Sequence, residues 1–249
     1  MFSQPCWRLI PPFRADGFLQ MAIDRWLLEQ YHSGRSLPVL RFYTWEPVAL
    51  SLGHHQRQWP EEWNHLIWRG QPVELVRRPT GGRGVLHQGD LTYTAIAPSL
   101  SGDRLTTYKA ICRFLIEGWR SLGIALTYGS RGREYRHQAN CFRLATGADL
   151  VMPQGEKLIG SAQFRRDRAV LQQGSIRLNP DPALYSQVFG EELILPASLN
   201  ALVSQADFLP HLIEVLIEAA RRCFATEFQV EPLSEIELQA LQALQRETP

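Results

Sequence analysis

Val76-Arg77-Arg78-Pro79-Thr80-Gly81-Gly82-Arg83-Gly84-Val85-Leu86-His87-Gln88-Gly89-Asp90-Leu91-Thr92-Tyr93 is the stretch on which the reading of this chain turns. An apolar approach leads into two adjacent arginines, then three glycines within four residues, then a run that alternates in character. The pattern predicts a glycine-rich hairpin between strands at 73–78 and 91–97. Glycine permits positive φ and removes the Cβ that would hold a ligand away. Successive backbone N–H groups in such a turn form a concavity for an anion, and Arg77 and Arg78 add planar charged donors. An ordinary tight hairpin with surface arginines fits the same letters. His87 alone reads as structural, with Asp90 and Thr92 tying the turn through backbone hydrogen bonds.

Outward from this segment, apolar residues at helical spacing (Phe18, Met21, Ala22, Trp26, Leu27) predict a helix over 15–31. Strands are expected at 7–10, 39–45 and 48–52, the last two joined through Pro47. Pro60 and the acidic pair Glu61-Glu62 suggest a helix over 60–68. A second long helix is read at 106–122, ended by Gly123. A short strand at 124–128 and a polar, basic loop at 130–139 follow. Antiparallel strands are expected at 149–152, 157–164 and 169–178, then helices at 182–188 and 209–224, a strand at 228–230 and a helix at 234–245. Strands and helices do not alternate regularly. The expectation is an α+β fold with a mixed, mainly antiparallel sheet flanked by helices. Residues 1–249 then form one domain, with 181–249 a largely helical segment packed on it.

A net charge of +1 gives the whole chain no electrostatic case for nucleic acid or anionic membrane. The charge is uneven. Residues 131–168 hold eight basic and four acidic residues, and 181–249 hold three basic and eleven acidic ones. A basic docking face for an acidic partner is one reading, and a solvated surface is the other. Cys6, Cys112, Cys141 and Cys223 form no Cys-x-x-Cys pair, so neither a zinc site nor a disulfide framework is expected. With no signal-peptide core and no long apolar run, the reading is a soluble, cytoplasmic protein of a reducing compartment.

Two further segments carry chemistry. In 155–163, small residues Gly160, Ser161 and Ala162 let a strand lie flat against a bound chain. Lys157, one of only two lysines among 26 basic residues, can stabilise developing negative charge on a carbonyl oxygen. It also reads as an exposed lysine at a hairpin tip. Cys141 lies among Arg136, His137 and Arg143, a setting that lowers a thiol pKa. Cys6, Cys112 and Cys223 sit among apolar residues and read as core.

These segments together resemble the lipoate-protein ligase and octanoyltransferase family, of biotin/lipoate protein ligase fold. The likeness runs from about residue 7 to 178. It is carried by 39–45 with 51–56, by 77–87, by Asn140-Cys141-Phe142, and by 157–163 with 171–176. The Cys-Phe pair is similar to that of LipM-type octanoyltransferases, although Gln88 and Arg143 stand where that group has acidic residues. The resemblance implies an acyltransferase. Cys141 takes an octanoyl group from octanoyl-acyl carrier protein as a thioester, and a lysine of a lipoyl-domain protein, such as glycine cleavage H protein, resolves it. Lys157 acts on the acyl carbonyl. Arg77, Arg78, Thr80, Gly81, Gly82 and His87, with Gly160, Ser161, Ala162, Gln163 and Gly174, would bind substrate. Octanoyl transfer calls for no cofactor and no metal. Three alternatives stand beside it: an ATP- and Mg-dependent lipoate-protein ligase, an octanoyl amidotransferase between lipoyl domains, and a non-catalytic module that binds a carrier protein.

Overall fold

The computed structural model describes residues 2, 4–101, 104–129, 147–193 and 195–247. In chain order the elements are β1 (Cys6–Ala15), α1 (Gly17–His32), β2 (Val39–Trp45), β3 (Ala49–Leu52), a 3-10 turn (Glu61–His65), β4 (Ile67–Trp68), β5 (Gln71–Pro72), β6 (Glu74–Arg77), β7 (Val85–His87), β8 (Asp90–Pro98), α2 (Arg104–Ser121), β9 (Thr127–Tyr128), β10 (Leu150–Val151), β11 (Lys157–Arg166), β12 (Ala169–Arg177), α3 (Pro182–Phe189), α4 (Ala197–Val203), α5 (Phe208–Phe224), β13 (Glu227–Val230) and α6 (Glu235–Glu247). Eight strands form one sheet in the order β13-β1-β2-β8-β12-β11-β10-β9. Only β13–β1 and β1–β2 pair in parallel; the remaining neighbours are antiparallel. The α+β reading with a mixed, mainly antiparallel sheet holds. Among the described residues no helix is long and apolar enough to cross a membrane.

The alternation along β8 reflects two different interiors rather than an inside and an outside. Leu91, Tyr93, Ala95 and Ala97 pack under α2 and α5 in the main apolar core. Thr92 and Thr94 point the other way and are equally buried. Beneath α1 they meet polar partners: Asp24 accepts from Thr94 Oγ1 (2.8 Å), Tyr43 Oη (3.1 Å) and Gln173 Nε2 (3.0 Å), and its other oxygen lies 3.4 Å from Arg41 Nε. Burial pushes the Asp24 carboxyl up, against the pull of Arg41.

Two expectations fail. The segment 60–68 is not a helix. Its 3-10 turn ends at His65 and the chain extends into β4, because Arg69 and Gly70, both at positive φ, reverse it into β5. Nor is 76–93 a hairpin. β6 and β7 both pair with β3, the first parallel and the second antiparallel, and β8 belongs to the other sheet. The two strands expected to pair, β6 and β8, thus lie in different sheets, and β3 sits between β6 and β7. Strands 124–128 and 149–152 shorten to β9 and β10.

The C-terminal helix is tied to β1. Ser234 and Glu237 form a capping box, with Ser234 N–H donating to Glu237 Oε2 (2.7 Å) and Glu237 N–H to Ser234 Oγ (3.3 Å). Buried Arg8 donates to both oxygens of Glu237 at 2.7 and 2.9 Å. Burial raises the Glu237 carboxyl, but the bonds from Arg8 and Ser234 outweigh it and hold it below the usual carboxylate range. Glu237→Ala is expected to cost about 2 kcal/mol of unfolding free energy. A depressed carboxyl stabilises above its ordinary pKa and stops doing so as pH falls through its folded value. The gap between wild type and variant in denaturant titrations should therefore close toward acid.

Candidate active site

The loop between β6 and β7 lies against the end of β3 and its continuation. Arg78 N–H donates to Leu52 O (3.0 Å), and His54 N–H to Thr80 O (2.9 Å). The approach is so close that a Cβ on Gly53 would stand 2.0 Å from the Gly82 carbonyl oxygen. The arginines brace this arrangement. Arg77 Nη1 donates to the carbonyls of Gly53 and Gln56, each at 2.8 Å, and its guanidinium lies 5.5 Å from the Trp59 ring centroid. Arg78 is buried. It donates from Nη1 to Ser51 O (2.8 Å) and Ser51 Oγ (3.1 Å), and from Nη2 to the carbonyls of Gly81 (2.8 Å) and Arg83 (2.7 Å).

Between this loop and β11 is a cavity of about 270 Å³. Of the residues singled out from sequence, Arg78, Gly81, Gly82, His87, Gly160, Ser161, Ala162, Gln163 and Gly174 line it. Arg77 and Thr80 stand behind the wall. Thr80 is buried and donates to Gln173 Oε1 (3.2 Å), which links the loop to Asp24 beneath α1. Cys141 lies outside the described residues.

The β11 wall follows from its small residues. β10 meets β11 only at Ile159 and Lys157, so from Gly160 onward that edge has no strand partner among the described residues. Gly174 is opposite Ser161 on one side and Tyr93 on the other. A Cβ there would stand 2.4 Å from the Tyr93 ring and 2.6 Å from Ser161 Oγ. Without it, Tyr93 Oη and Ser161 Oγ meet at 2.9 Å and close the floor.

Lys157 is not the exposed tip its alternative reading allowed. Its side chain is 3% exposed, and Nζ lies 3.1 Å from Asp149 Oδ1. Asp149 lines the cavity, which sets the ammonium directly behind that wall. Cys112 is buried, with its thiol pushed up to about 12 by burial, and Cys223 is raised by the same cause. Cys6 and Cys223 are half-buried rather than core. Among the described residues no cluster of His, Cys, Asp or Glu could hold a metal ion.

Sequence reasoning missed Ser51, Tyr108, Asp149, Gln173 and Ser175, all of which line the cavity. Ser51, Gln173 and Ser175 sit in segments quoted for the resemblance, yet a lone polar residue within an apolar strand carries no local sign of what it faces. His87 donates or accepts at both ring nitrogens, to Ser51 Oγ (2.8 Å) and Asp90 Oδ2 (2.9 Å).

Known proteins share this chain's sequence and fold. The octanoyltransferase LipM of Carboxydothermus hydrogenoformans is 40% identical over 179 residues, 70% of this chain and 66% of that one. Its counterpart in Lysinibacillus sphaericus is 32% identical over 263 residues, 96% and 94% of the two chains. Among solved structures, a lipoate-protein ligase A bound with ATP superposes with a TM-score of 0.74 at 20% identity, covering 96% and 94%. A bi-partite lipoate protein ligase from Thermoplasma acidophilum, studied with its E2 lipoyl domain, gives 0.68 at 18%, covering 99% and 93%. These two share the fold. The profile of the lipoyl protein ligase A/B catalytic domain matches residues 16–229, and the chain belongs to that family.

Proposed function

We propose that the chain is an octanoyltransferase, moving an octanoyl group from octanoyl-acyl carrier protein to a lysine of a lipoyl-domain protein such as glycine cleavage H protein. The observation that carries this reading is the match to octanoyltransferase LipM over nearly the full length of both chains. The whole of 1–249 then acts as one catalytic domain, in the reducing cytoplasm, without cofactor or metal.

In this reading Cys141 is the nucleophile. Its thiolate attacks the carrier thioester, the pantetheine thiol leaves, and an acyl-enzyme forms that the target ε-amine converts to an amide. The high pKa of Cys112 supports giving the role to Cys141, since a thiol that stays protonated is a poor nucleophile. The acyl chain lies between Gly81-Gly82 and the open edge of Gly160–Ala162. Lys157, turning from Asp149, donates to the acyl oxygen as negative charge develops there. Exposed Arg166 and Arg168 face the acidic carrier and acceptor, and the sequence adds four arginines over 131–143, outside the described residues. Lys157, buried and paired, is no part of that docking face.

The test is intact-mass spectrometry after incubation with octanoyl-acyl carrier protein and no ATP. A hydroxylamine-sensitive octanoyl adduct on Cys141 is expected. Acylation that instead requires a free acid, ATP and Mg would assign a lipoate-protein ligase, and loading only from an octanoylated lipoyl domain would assign an amidotransferase. Binding of carrier without either would leave a non-catalytic module. A second expectation concerns the loop: Gly53→Ala drives a methyl into the Gly82 carbonyl. Displacing one cavity wall by about 1 Å should slow transfer roughly 100-fold and, because backbone must give way, also lower the melting temperature, read from initial rates and thermal denaturation of the same samples.

A further inference from the structure

Three side chains form a hydrogen-bonded line between two cavities. Ser51 and His87 line the cavity already described. His87 and Asp90 also line a second one, of about 340 Å³, on the other side. Arg14, largely exposed and paired with Glu46, lies in the wall of that second cavity. Ser51 Oγ is 2.8 Å from His87 Nε2, and His87 Nδ1 is 2.9 Å from Asp90 Oδ2.

The polarity of the line follows from its neighbours. Asp90 Oδ2 also accepts from Ser175 Oγ (2.7 Å) and Thr92 Oγ1 (3.1 Å), as an ionised carboxylate does. The Nδ1 proton therefore sits between His87 and Asp90, and Nε2 is left as the acceptor. Ser51 Oγ then donates to Nε2 while accepting from Arg78 Nη1 at 3.1 Å. Trp45 stacks on the imidazole, with ring centroids 3.8 Å apart and planes 16° apart. Its indole N–H is held by Thr92 Oγ1 at 2.8 Å, so the ring cannot turn away. A hydroxyl, an imidazole acceptor and a buried carboxylate in this order make a proton acceptor facing the reaction space. The guanidinium on Oγ offsets the charge Ser51 carries as its proton leaves.

We propose that Ser51, His87 and Asp90 are the proton relay of the aminolysis step, drawing a proton from the attacking lysine nitrogen into the wall of the acyl cavity. The proposal rests on the reading above that a lysine amine is the acceptor. The neutral ε-amine adds to the acyl carbonyl carbon, and its nitrogen becomes positively charged. Ser51 Oγ takes that proton as its own passes to His87 Nε2, giving an imidazolium paired with Asp90. The carbon–sulfur bond breaks, the amide is released and sulfur departs as thiolate. The imidazolium then gives up the Nε2 proton through Ser51 Oγ as the product leaves the acyl cavity, which returns His87 to the tautomer it began with. The charged groups facing the relay are Arg78 at the Ser51 end, Asp149 across the acyl cavity and Arg14 at the far side.

The experiment is single-turnover kinetics at one pH. Enzyme is loaded with octanoyl-acyl carrier protein, the adduct is quantified by intact mass, and a purified lipoyl-domain protein is added. In His87→Gln, transfer from the loaded enzyme to lysine should slow on the order of 100-fold, well beyond any slowing of loading. Asp90→Asn should move the same way. Added imidazole should restore transfer in His87→Ala but not in His87→Gln, whose side chain occupies the space. Wild-type transfer rates in His87→Gln overturn the relay. So does an equal loss of loading and transfer without imidazole rescue, which marks a packing role. If wild type loads only with ATP and free acid, the thioester reading fails instead, and the lysine-transfer rate of His87→Gln from that acyl group still decides the relay.

Discussion

Cys141→Ala is expected to abolish transfer from octanoyl-acyl carrier protein, by on the order of 10⁴-fold or more, with the melting temperature unchanged. The size of the effect follows from what is left to replace the thiol. Cys112 is the described cysteine nearest the cavity floor: Gln172 donates to its sulfur at 3.2 Å and also to Tyr93 Oη, which meets Ser161. Burial pushes that thiol up to about 12, so at neutral pH its thiolate fraction is on the order of 10⁻⁵. Cys223 is raised as well. Neither takes over the attack. Cys141→Ser should accumulate a slow oxyester, visible as a hydroxylamine-resistant mass adduct. ATP-independent transfer by the alanine variant at an unchanged rate would falsify the thioester mechanism.

The same cavity explains why part of the site could be read from letters and part could not. Glycines 81, 82 and 160 were legible from the clustering of small residues, and Gly174, where a Cβ would meet the Tyr93 ring at 2.4 Å, only through the family resemblance. The long helices were legible from their apolar spacing, and α3, also expected, starts on Pro182 after the capping residue Asp181, whose carboxylate accepts from Ala183 and Leu184 N–H. The pairing of β6 and β7 with β3 was not. A strand inserted from some 25 residues upstream leaves no mark on 76–93, and a glycine-rich connection looks the same whether it closes a hairpin or crosses a neighbouring strand. The short turn after Pro60 failed for a related reason. Its local helix signals were sound, but Arg69-Gly70 reverses the chain so that Trp68 and Gln71 can pair.

Charge was the least legible. Arg77 and Arg78 were read as donors for an anion, and each also holds backbone carbonyls: Arg77 those of Gly53 and Gln56 after β3, Arg78 those of Ser51, Gly81 and Arg83. A planar fork of donors serves a carbonyl cluster as well as a carboxylate, and sequence does not say which is within reach. Buried Thr92, Thr94 and Gln173 similarly break the rule that alternation in a strand separates core from solvent. Here α1 brings Asp24 and Gln20 over the sheet, so the second face is a buried polar network. Through Gln173 and Thr80 it fixes the same loop from beneath. The loop is thus braced by Arg78 from within and, through Thr80 and Gln173, by a carboxylate from the core.

Lys157→Met is expected to lose acyl transfer by roughly 10² to 10³-fold, the range for removing one donor to a developing oxyanion. The prediction has to be separated from a structural one, because Nζ is held by Asp149 and both side chains are almost fully buried. Removing one partner of a buried pair costs about 3 kcal/mol or more, largely through the charge left behind. The single variant should therefore melt lower as well as work poorly. Lys157→Met combined with Asp149→Leu removes both charges and should recover most of the lost stability, since apolar replacement of a whole buried pair is near neutral. If Lys157 serves only to neutralise Asp149, that double variant regains activity along with its melting temperature. If the ammonium acts on the acyl oxygen, stability returns and turnover does not, with the loss falling on kcat rather than KM because the contact strengthens only as charge builds on the carbonyl.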